Sequence, residues 1–450
     1  MKYLTMVVLG CIFFADSTLA AVTAEVAARL GKDLTPIGAE MGGNSSGSIP
    51  AWTGGLDKSA GKILGNNFLE DPYSKESPLF TITRDNVEQY KDHLTEGQLA
   101  LFKRYATFTM PVYPSHRSAK LPENLYKAAR YNAEHTELVE NGNGLQDFHQ
   151  ATPFPIPENA LEVVWNHLTR YRGGSAKRTH VQATPLADGS FIPVSFRQEF
   201  AFQSAMPGYD ENKGDDILFY YKQLITGPAR LAGDIVLVHE PINQVKNPRM
   251  AWIYNAGQRR VRRAPQIAYD GPYPASDGQR VADNLDMFNG AVDRYDWKLI
   301  GKREVYIPYN SYKLESPDAK YNDIIQAGHM NPEYTRYELH RVWVVDATVK
   351  DGQRHVYGRR TFYIDEDSWQ ISIADHYDNR GDLWRVGMGH FVQLYHVDVP
   401  WLGVEVLHDL INGRYLVSGM RNEERNSLTF GTDPKVSEYT PAALRSSGVR

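Results

Sequence analysis

Apolar residues recur every three or four positions in the early part of the chain and every second position from about residue 191 onward. The first spacing is that of helices with one buried stripe, the second that of half-buried strands. Helices are expected at 21–34 (Val22, Val26, Ala27, Leu30), 85–94 (Val87, Tyr90, Leu94) and 96–108 (Leu99, Phe102, Ala106). A better-marked helix follows Pro157, with Leu161, Val164, Trp165, Leu168 and Tyr171 on one stripe and a stop at Gly173-Gly174. The glycine-rich stretch 38–55 has no apolar period and reads as loop. Strands are expected at 192–202, 217–226, 234–241, 250–263, 297–307, 337–349, 355–364, 369–377, 383–399 and 414–420, with turns such as Asp188-Gly189, Asp351-Gly352 and Asn412-Gly413 between them. Long strands joined in sequence favour an antiparallel meander, and helices preceding strands make the class α+β.

The segment 250–265, MAWIYNAGQRRVRRAP, predicts a hairpin whose returning strand carries four arginines in five residues. Trp252 and Tyr254 share one face of the first strand; on the second, Arg260 and Arg262 lie opposite Arg259, Val261 and Arg263. An unpaired buried guanidinium costs several kcal/mol, so at least one face meets water, a carboxylate or an anion. That excludes a strand sealed on both sides and favours an open sheet or half-barrel. Three readings of the arginines stay open: ion-pair ladders with acidic neighbours, capture of an anionic group, and docking of a partner protein. In 337–347 the centre is apolar on both faces, which calls for a helix on one side and a second protein layer or a ligand on the other.

The first twenty residues combine Lys2, an apolar run and a small-residue exit at Thr18-Leu19-Ala20, the pattern of a Sec signal peptide cut near Ala20. No later stretch has the roughly 20 apolar residues of a membrane helix. Cys11 is the one cysteine, so the chain beyond the leader has no disulfide or thiolate chemistry, and the periplasm is the expected compartment. With a formal net charge of -5, no nucleic-acid partner is expected, and the arginines are a local feature.

No catalytic constellation emerges. Gly43-Asn44-Ser45-Ser46-Gly47 matches a nucleophile-elbow pattern but lies between loops rather than between strand and helix. Asp365-Glu366-Asp367 lacks the spacing of a calcium loop and reads as a solvated turn. His376, His390, His396 and His408 are scattered, and neighbours in a strand such as Asp375 and His376 point apart, so no metal is expected. Asp283, Asp286, Asp293 and Asp296 could supply an acid/base pair for glycan cleavage, although acids beside Asn and Gly usually form turns. Aromatic side chains abound, 27 Tyr, 17 Phe and 8 Trp, and suit amphiphile pockets or sugar stacking beyond filling the core.

The segments GAEMGGNSSGSIPAWTGG, PFPIPENALEVVWNHLTRYRG, WIYNAGQRRVRRAP, DMFNGAVDRYDWKLIGKREVYIPYN and RTFYIDEDSWQISIADHYDNRGDLWRV together resemble an exported Gram-negative family of unknown function, labelled outer-membrane lipoprotein-sorting proteins. The likeness runs over nearly the whole chain after the leader. That family looks related to the LolA/LolB carriers, which implies a large antiparallel sheet curled as an unclosed half-barrel, helices covering its concave face, and an apolar cavity for acyl chains. It implies a leader at 1–20, a helix- and loop-rich region at 21–190 packing on the sheet, and the half-barrel at 191–450. It also implies a periplasmic, non-enzymatic carrier or adaptor for a lipid-like molecule, service to an RND-type transporter with an outer-membrane partner, and no cofactor. The cavity candidates are Trp252, Tyr254, Trp343 and Phe362; Arg259, Arg260, Arg262 and Arg263 are the candidates for an anionic group or a partner. The alternative reading is a periplasmic glycan-binding or polysaccharide-acting protein, and a scaffold between membranes is a third.

Overall fold

The computed structural model describes residues 21–210, 217–265, 267, 269–425 and 427–448; the expected leader lies outside them. Short strands come first: Phe80–Ile82 (β1), Met110–Val112 (β2) and the hairpin Glu137–Val139 (β3) with Gly144–Gln146 (β4). The alternating part of the chain then forms Ser175–Ala183 (β5), Val194–Phe202 (β6), Ile217–Gly227 (β7), Ile235–Pro241 (β8), Met250–Asn255 (β9), Arg260–Arg263 (β10), Tyr295–Pro308 (β11), Tyr337–Val349 (β12), Arg359–Asp365 (β13), Ile371–Tyr377 (β14), Leu383–Leu394 (β15), Val399–Asp409 (β16), Tyr415–Met420 (β17) and Leu428–Phe430 (β18). The helices are Ala24–Ala27 (α1), Glu96–Arg104 (α2), Glu123–His135 (α3), Ala160–Thr169 (α4), Tyr321–Ile324 (α5) and Pro441–Gly448 (α6).

One sheet runs in the order β11-β12-β13-β14-β15-β16-β17-β5-β6-β7-β8-β9-β10, all antiparallel, with β1 and β2 attached at the Tyr337 end of β12. Among the described residues β10 and β11 each pair on one side only, so the sheet is open. It is curled: one continuous core joins Phe219 of β7 and Val238 of β8 with Val345 of β12 and Phe362 of β13, around Trp165 of α4. The class is α+β, as the alternation requires.

Helix α4 is the plug of the concave side. Asn159 caps it, its side chain accepting from the Glu162 N–H at 3.1 Å. Nearly every residue of the helix is buried, and its buried polar side chains are hydrogen-bonded, Asn166 donating to the Phe154 carbonyl at 2.6 Å and Thr169 to the Ala151 carbonyl at 2.7 Å. Trp165 is 1% exposed and donates its Nε1–H to the Gly142 carbonyl at 2.8 Å. His167 accepts the Ile371 N–H at 3.1 Å and reaches the Phe288 carbonyl at 3.1 Å through Nε2, tying helix, sheet and the 264–294 segment together. Burial lowers its pKa to about 3, so it holds these positions as a neutral ring. The opposite face of β12–β15 is covered by α2, Phe108, Met110 and Val112. Both faces of β12 are therefore closed by protein, the second-layer outcome.

Several expectations change. The run of long strands starts at Ser175 rather than near 191, because SAKRTHVQA alternates but carries polar residues on its buried face. The run 383–399 splits into β15 and β16 at a turn holding Asp398 at φ +53°. Helix α3 was not foreseen, since its buried stripe is Leu125, Ala129, Asn132 and Ala133 and has little apolar period. At 21–34 only Ala24–Ala27 is α-helical, and at 85–94 the chain forms a 3-10 turn, Val87–His93.

The Asp365-Glu366-Asp367 turn is not solvated; these residues are 0, 1 and 4% exposed. Buried carboxylates need donors, and the N-terminal region and strands β11 and β12 together supply them. Arg117 donates to both oxygens of Asp367, at 2.8 and 2.7 Å, while Arg341 and Lys302 each reach Glu366 at 2.7 Å. The glycine-rich loop 38–55 lies over this turn: Arg341 also donates to the carbonyls of Glu40 and Gly42, at 3.0 and 2.8 Å.

Candidate functional site

Period-2 geometry builds the site. On β5 the residues Arg178, His180 and Gln182 fall on one face, and the register sets Arg178 beside Gln198 of β6, which in turn faces Gln223 of β7. The same inward face of β6 and β7 carries Phe200, Phe202, Phe219 and Tyr221, while β16 adds Trp401 and Glu405. The C-terminal turn of α4 brings Arg170 and Arg172 over this surface, and the 264–294 segment brings Arg280 and Asp286. Between them remains an inner chamber of about 80 Å³.

Its walls are aromatic and its charges are mostly arginine. Four guanidiniums, Arg170, Arg172, Arg178 and Arg280, meet two carboxylates, Asp286 and Glu405. Arg170 and Arg172 share Asp286; burial opposes that charge but the two arginines overcome it and hold Asp286 down at about 2. Arg280 reaches Glu405 at 3.0 Å and Gln182 at 2.9 Å. Arg178 has no carboxylate partner among the described residues: its Nε–H goes to Gln198 at 2.8 Å and its guanidinium stands 5.5 Å from the centre of the Trp401 ring. Arg172 lies 4.9 and 5.0 Å over the rings of Phe202 and Phe219. Burial lowers both Arg178 and Arg172, the latter to about 10. The Nε atoms of Arg172 and Arg280 and Nδ1 of His180 are buried without partners.

Phe202 also borders a second space. This outer cleft of about 1110 Å³ opens between the β3–β4 hairpin, the end of α4 and the start of β7, and mixes Leu145, Phe148, Tyr171, Leu218 and Ile242 with Asn124, Gln146, Asp147 and Lys246. Phe202 lines both chamber and cleft. Among the described residues the space under the helices, where the resemblance leads one to expect an acyl-length cavity, is occupied by α4 and the side chains of Ala264, Ile267, Tyr273, Ala282, Met287, Phe288 and Val292.

The cavity candidates divide. Phe362 is buried on the concave side against Phe288, at 5.3 Å between ring centres, and Trp343 stacks at 6.4 Å on Trp369 with the Lys302 ammonium 4.7 Å from its ring. Neither borders the chamber. Trp252 and Tyr254 share a face, as the alternation requires, but it is the outer one. Tyr254 is 1% exposed beneath Tyr439 and Leu444 of the C-terminal segment, and Trp252 packs against His239. Periodicity tells which residues share a face and not which face looks inward. Arg259, Arg260, Arg262 and Arg263 are all exposed and form no ion pair among the described residues; Arg263 lies 6.0 Å over Trp252. Among the described residues no ion-pair ladder forms on these four side chains.

The other candidates do not gather into a site. Asp283 accepts from Arg360 at 2.8 Å and faces His355 at 3.0 Å; Asp293 accepts from Tyr269 at 2.9 Å; Asp296 is exposed on β11. Ser45 sits in an exposed turn. His390 and His408 border a void of about 10 Å³, each lowered by burial to about 3, while His376 stacks on Tyr357. His340, Asp365 and Asp367 each offer one metal-ligand atom within 4.8 Å of the others, but Arg117 already supplies a cation to both oxygens of Asp367. The residues that sequence reasoning missed are Arg178, Arg280, Phe200 and Trp401. The one signal for them was the alternating polar set Arg178, His180, Gln182, which reads as a solvent face unless the curl is known.

Comparison with known proteins places these features. Residues 81–445 match the family described as "Protein of unknown function (DUF1329)". The uncharacterized protein PA3922 of Pseudomonas aeruginosa is 58% identical over 444 residues, 98% of each chain. Among solved structures the chain is similar to an outer membrane lipoprotein-sorting protein domain of Vibrio parahaemolyticus (14% identity, 64% of this chain and 98% of that one, TM-score 0.44). It is also similar to a DUF1329 family protein of Desulfovibrio piger (14% identity, 60% and 92%, TM-score 0.41) and to the LolA superfamily protein NE2245 of Nitrosomonas europaea (12% identity, 63% and 98%, TM-score 0.37). On the extent of the family match and the identity to its Pseudomonas relative, the chain belongs to the DUF1329 family.

Proposed function

We propose that this protein is a non-enzymatic carrier that holds one amphiphile across Phe202, its polar end in the inner chamber and its apolar body in the outer cleft. The observation that carries this is the pairing of an aromatic-walled chamber with an adjoining cleft of about 1110 Å³ of mixed lining, ample for a small amphiphile. Apolar burial at about 25 cal/mol per Å² retains such a guest without covalent chemistry. The periplasm is the compartment proposed, on the pattern of the first twenty residues and the lack of cysteine beyond them. The exposed arginines of β10 are proposed as the contact with a partner, and an RND-type transporter with an outer-membrane protein fits the exported family resembled. Among the described residues no helix is long and apolar enough to cross a membrane.

The glycan reading is weaker on one geometric ground. Tyr131, which borders the cleft, is stacked on both His135 and His149 at ring-centre distances of 4.1 Å. Two parallel rings at that distance take both of its faces, leaving none for a sugar.

The test is native mass spectrometry of protein taken from its host envelope, followed by titration with a neutral naphthylamine fluorophore. A stoichiometric bound amphiphile and saturable fluorescence, weakened in Phe202→Trp, are expected. Protein with no bound small molecule and no probe uptake defeats the carrier reading.

A further inference from the structure

Resting on the carrier reading, we infer that the inner chamber is an anion site, which takes the carboxylate or phosphate head of the amphiphile on Arg178 and on the free N–H groups of Arg172 and Arg280. Three observations carry it. The chamber holds two more guanidiniums than carboxylates: Arg170 and Arg280, paired with Asp286 and Glu405, are buried, and Arg178 stands half-buried beside them without a carboxylate of its own among the described residues. Arg178 is bonded to a neutral amide and stacked on an indole, neither of which balances a cation. The Nε–H groups of Arg172 and Arg280 have no acceptor, and a buried donor without one is disfavoured unless a ligand supplies it.

The chemistry selects the head group. The guanidinium fork matches the two oxygens of a carboxylate or phosphate, and in a low-dielectric pocket the charge-assisted bonds are strong. A neutral hydroxyl satisfies one donor and leaves the charge unmatched; an ammonium adds to it. Size agrees as well: about 80 Å³ exceeds the roughly 10–15 Å³ that one water needs, room for a head of a few atoms but not for a chain. The chain must pass Phe202 into the cleft.

The experiment uses the full mature chain and three probes below their aggregation limits: dodecanoate, dodecyl phosphate and dodecanol, followed by calorimetry. At least one anion is expected to bind about 10–100-fold more tightly than dodecanol, and whichever anion binds better identifies the head chemistry. Arg178→Gln brings anion affinity down to that of the alcohol with an unchanged melting temperature, and Arg178→Lys keeps part of the preference. The acid-against-alcohol comparison on the unaltered chain needs no variant, so it decides even if Arg178→Gln does not fold. Equal affinity for alcohol and anions, or a folded Arg178→Gln with undiminished anion binding, overturns the inference and leaves the carrier reading standing. No binding of any of the three overturns both.

Discussion

Removing the charge of Arg360 tests how the segment that roofs the chamber is held. Arg360 is 0% exposed, donates to both oxygens of Asp283 at 2.9 and 2.8 Å, and lies 4.8 Å over Tyr357 and 5.2 Å over Tyr295. Asp283 stands three residues after Arg280 and three before Asp286, so this pair pins the stretch that brings both to the site. In Arg360→Met the carboxylate stays buried with His355 as its remaining close partner. Breaking a buried pair from one side costs about 3–5 kcal/mol. With unfolding entropy of about 2.1 cal/mol/K per residue, a chain of this size should lose roughly 3–6 °C in melting midpoint. The pH dependence is more diagnostic. Burial pushes Asp283 up, but Arg360 and His355 overcome it and hold the group at about 2, below the ordinary 3.8. A depressed carboxylate contributes stability above its unfolded value, here roughly 2 kcal/mol, lost as pH falls through the folded value. Without Arg360 the burial effect dominates and the carboxyl moves above 3.8, so the variant is relatively favoured as pH falls. The gap between wild type and variant, measured by denaturant titration at pH 7 and pH 4.5, should therefore shrink on acidification, and Asp283→Asn combined with Arg360→Met should lose less than the two single losses summed. A gap below about 1 kcal/mol at pH 7, or one that widens in acid, refutes the idea that this pair anchors the segment.

Asp375 should behave in the opposite sense. Burial raises it to about 7 although it accepts from the Gly97 N–H at 3.1 Å, so its stabilising share is present below 3.8 and lost as pH rises through 7. Asp375→Asn is expected to flatten the fall in melting temperature between those values. Gly97→Ala places a Cβ 2.0 Å from Asp375 Oδ1 and should detach α2 from β14, seen as faster amide exchange in Glu96–Arg104. Tyr439→Ala removes a side chain 1% exposed and should cost about 3–5 kcal/mol, with a red shift in fluorescence as Trp252 meets water. Changing Arg259, Arg260, Arg262 and Arg263 together to Gln should move stability by less than about 0.5 kcal/mol per site while abolishing capture of the proposed partner; retained capture would remove the hairpin from that role.

Much of the architecture was legible in the alternation of residues. The strand 337–349 appears with the expected bounds, as β12, and the hairpin pairs Arg263 with Trp252 as its turn requires. The open sheet follows from arginines on both sides of β10, which no sealed layer tolerates. The site was less legible, because Arg178, His180 and Gln182 carry the polarity of a solvent-facing strand. Asp365-Glu366-Asp367 misled for the same reason: acidic turns are usually wet, and this one is covered by a glycine-rich loop from more than 300 residues earlier.

The sequence by itself determined the α+β class, the antiparallel meander, which residues share each strand face and where the main helix plug α4 lies, because these depend on spacings of two and 3.6 residues along one segment. Which face turned inward was decided by the tertiary structure alone. Curling brings β5, β6, β7 and β16 around α4, and it sends Tyr254 to the outside and Arg178 to the interior. The charge a buried group feels depends on neighbours distant in the chain, so a surplus of guanidinium in an aromatic chamber exists only once Arg170, Arg178 and Arg280 have been folded together.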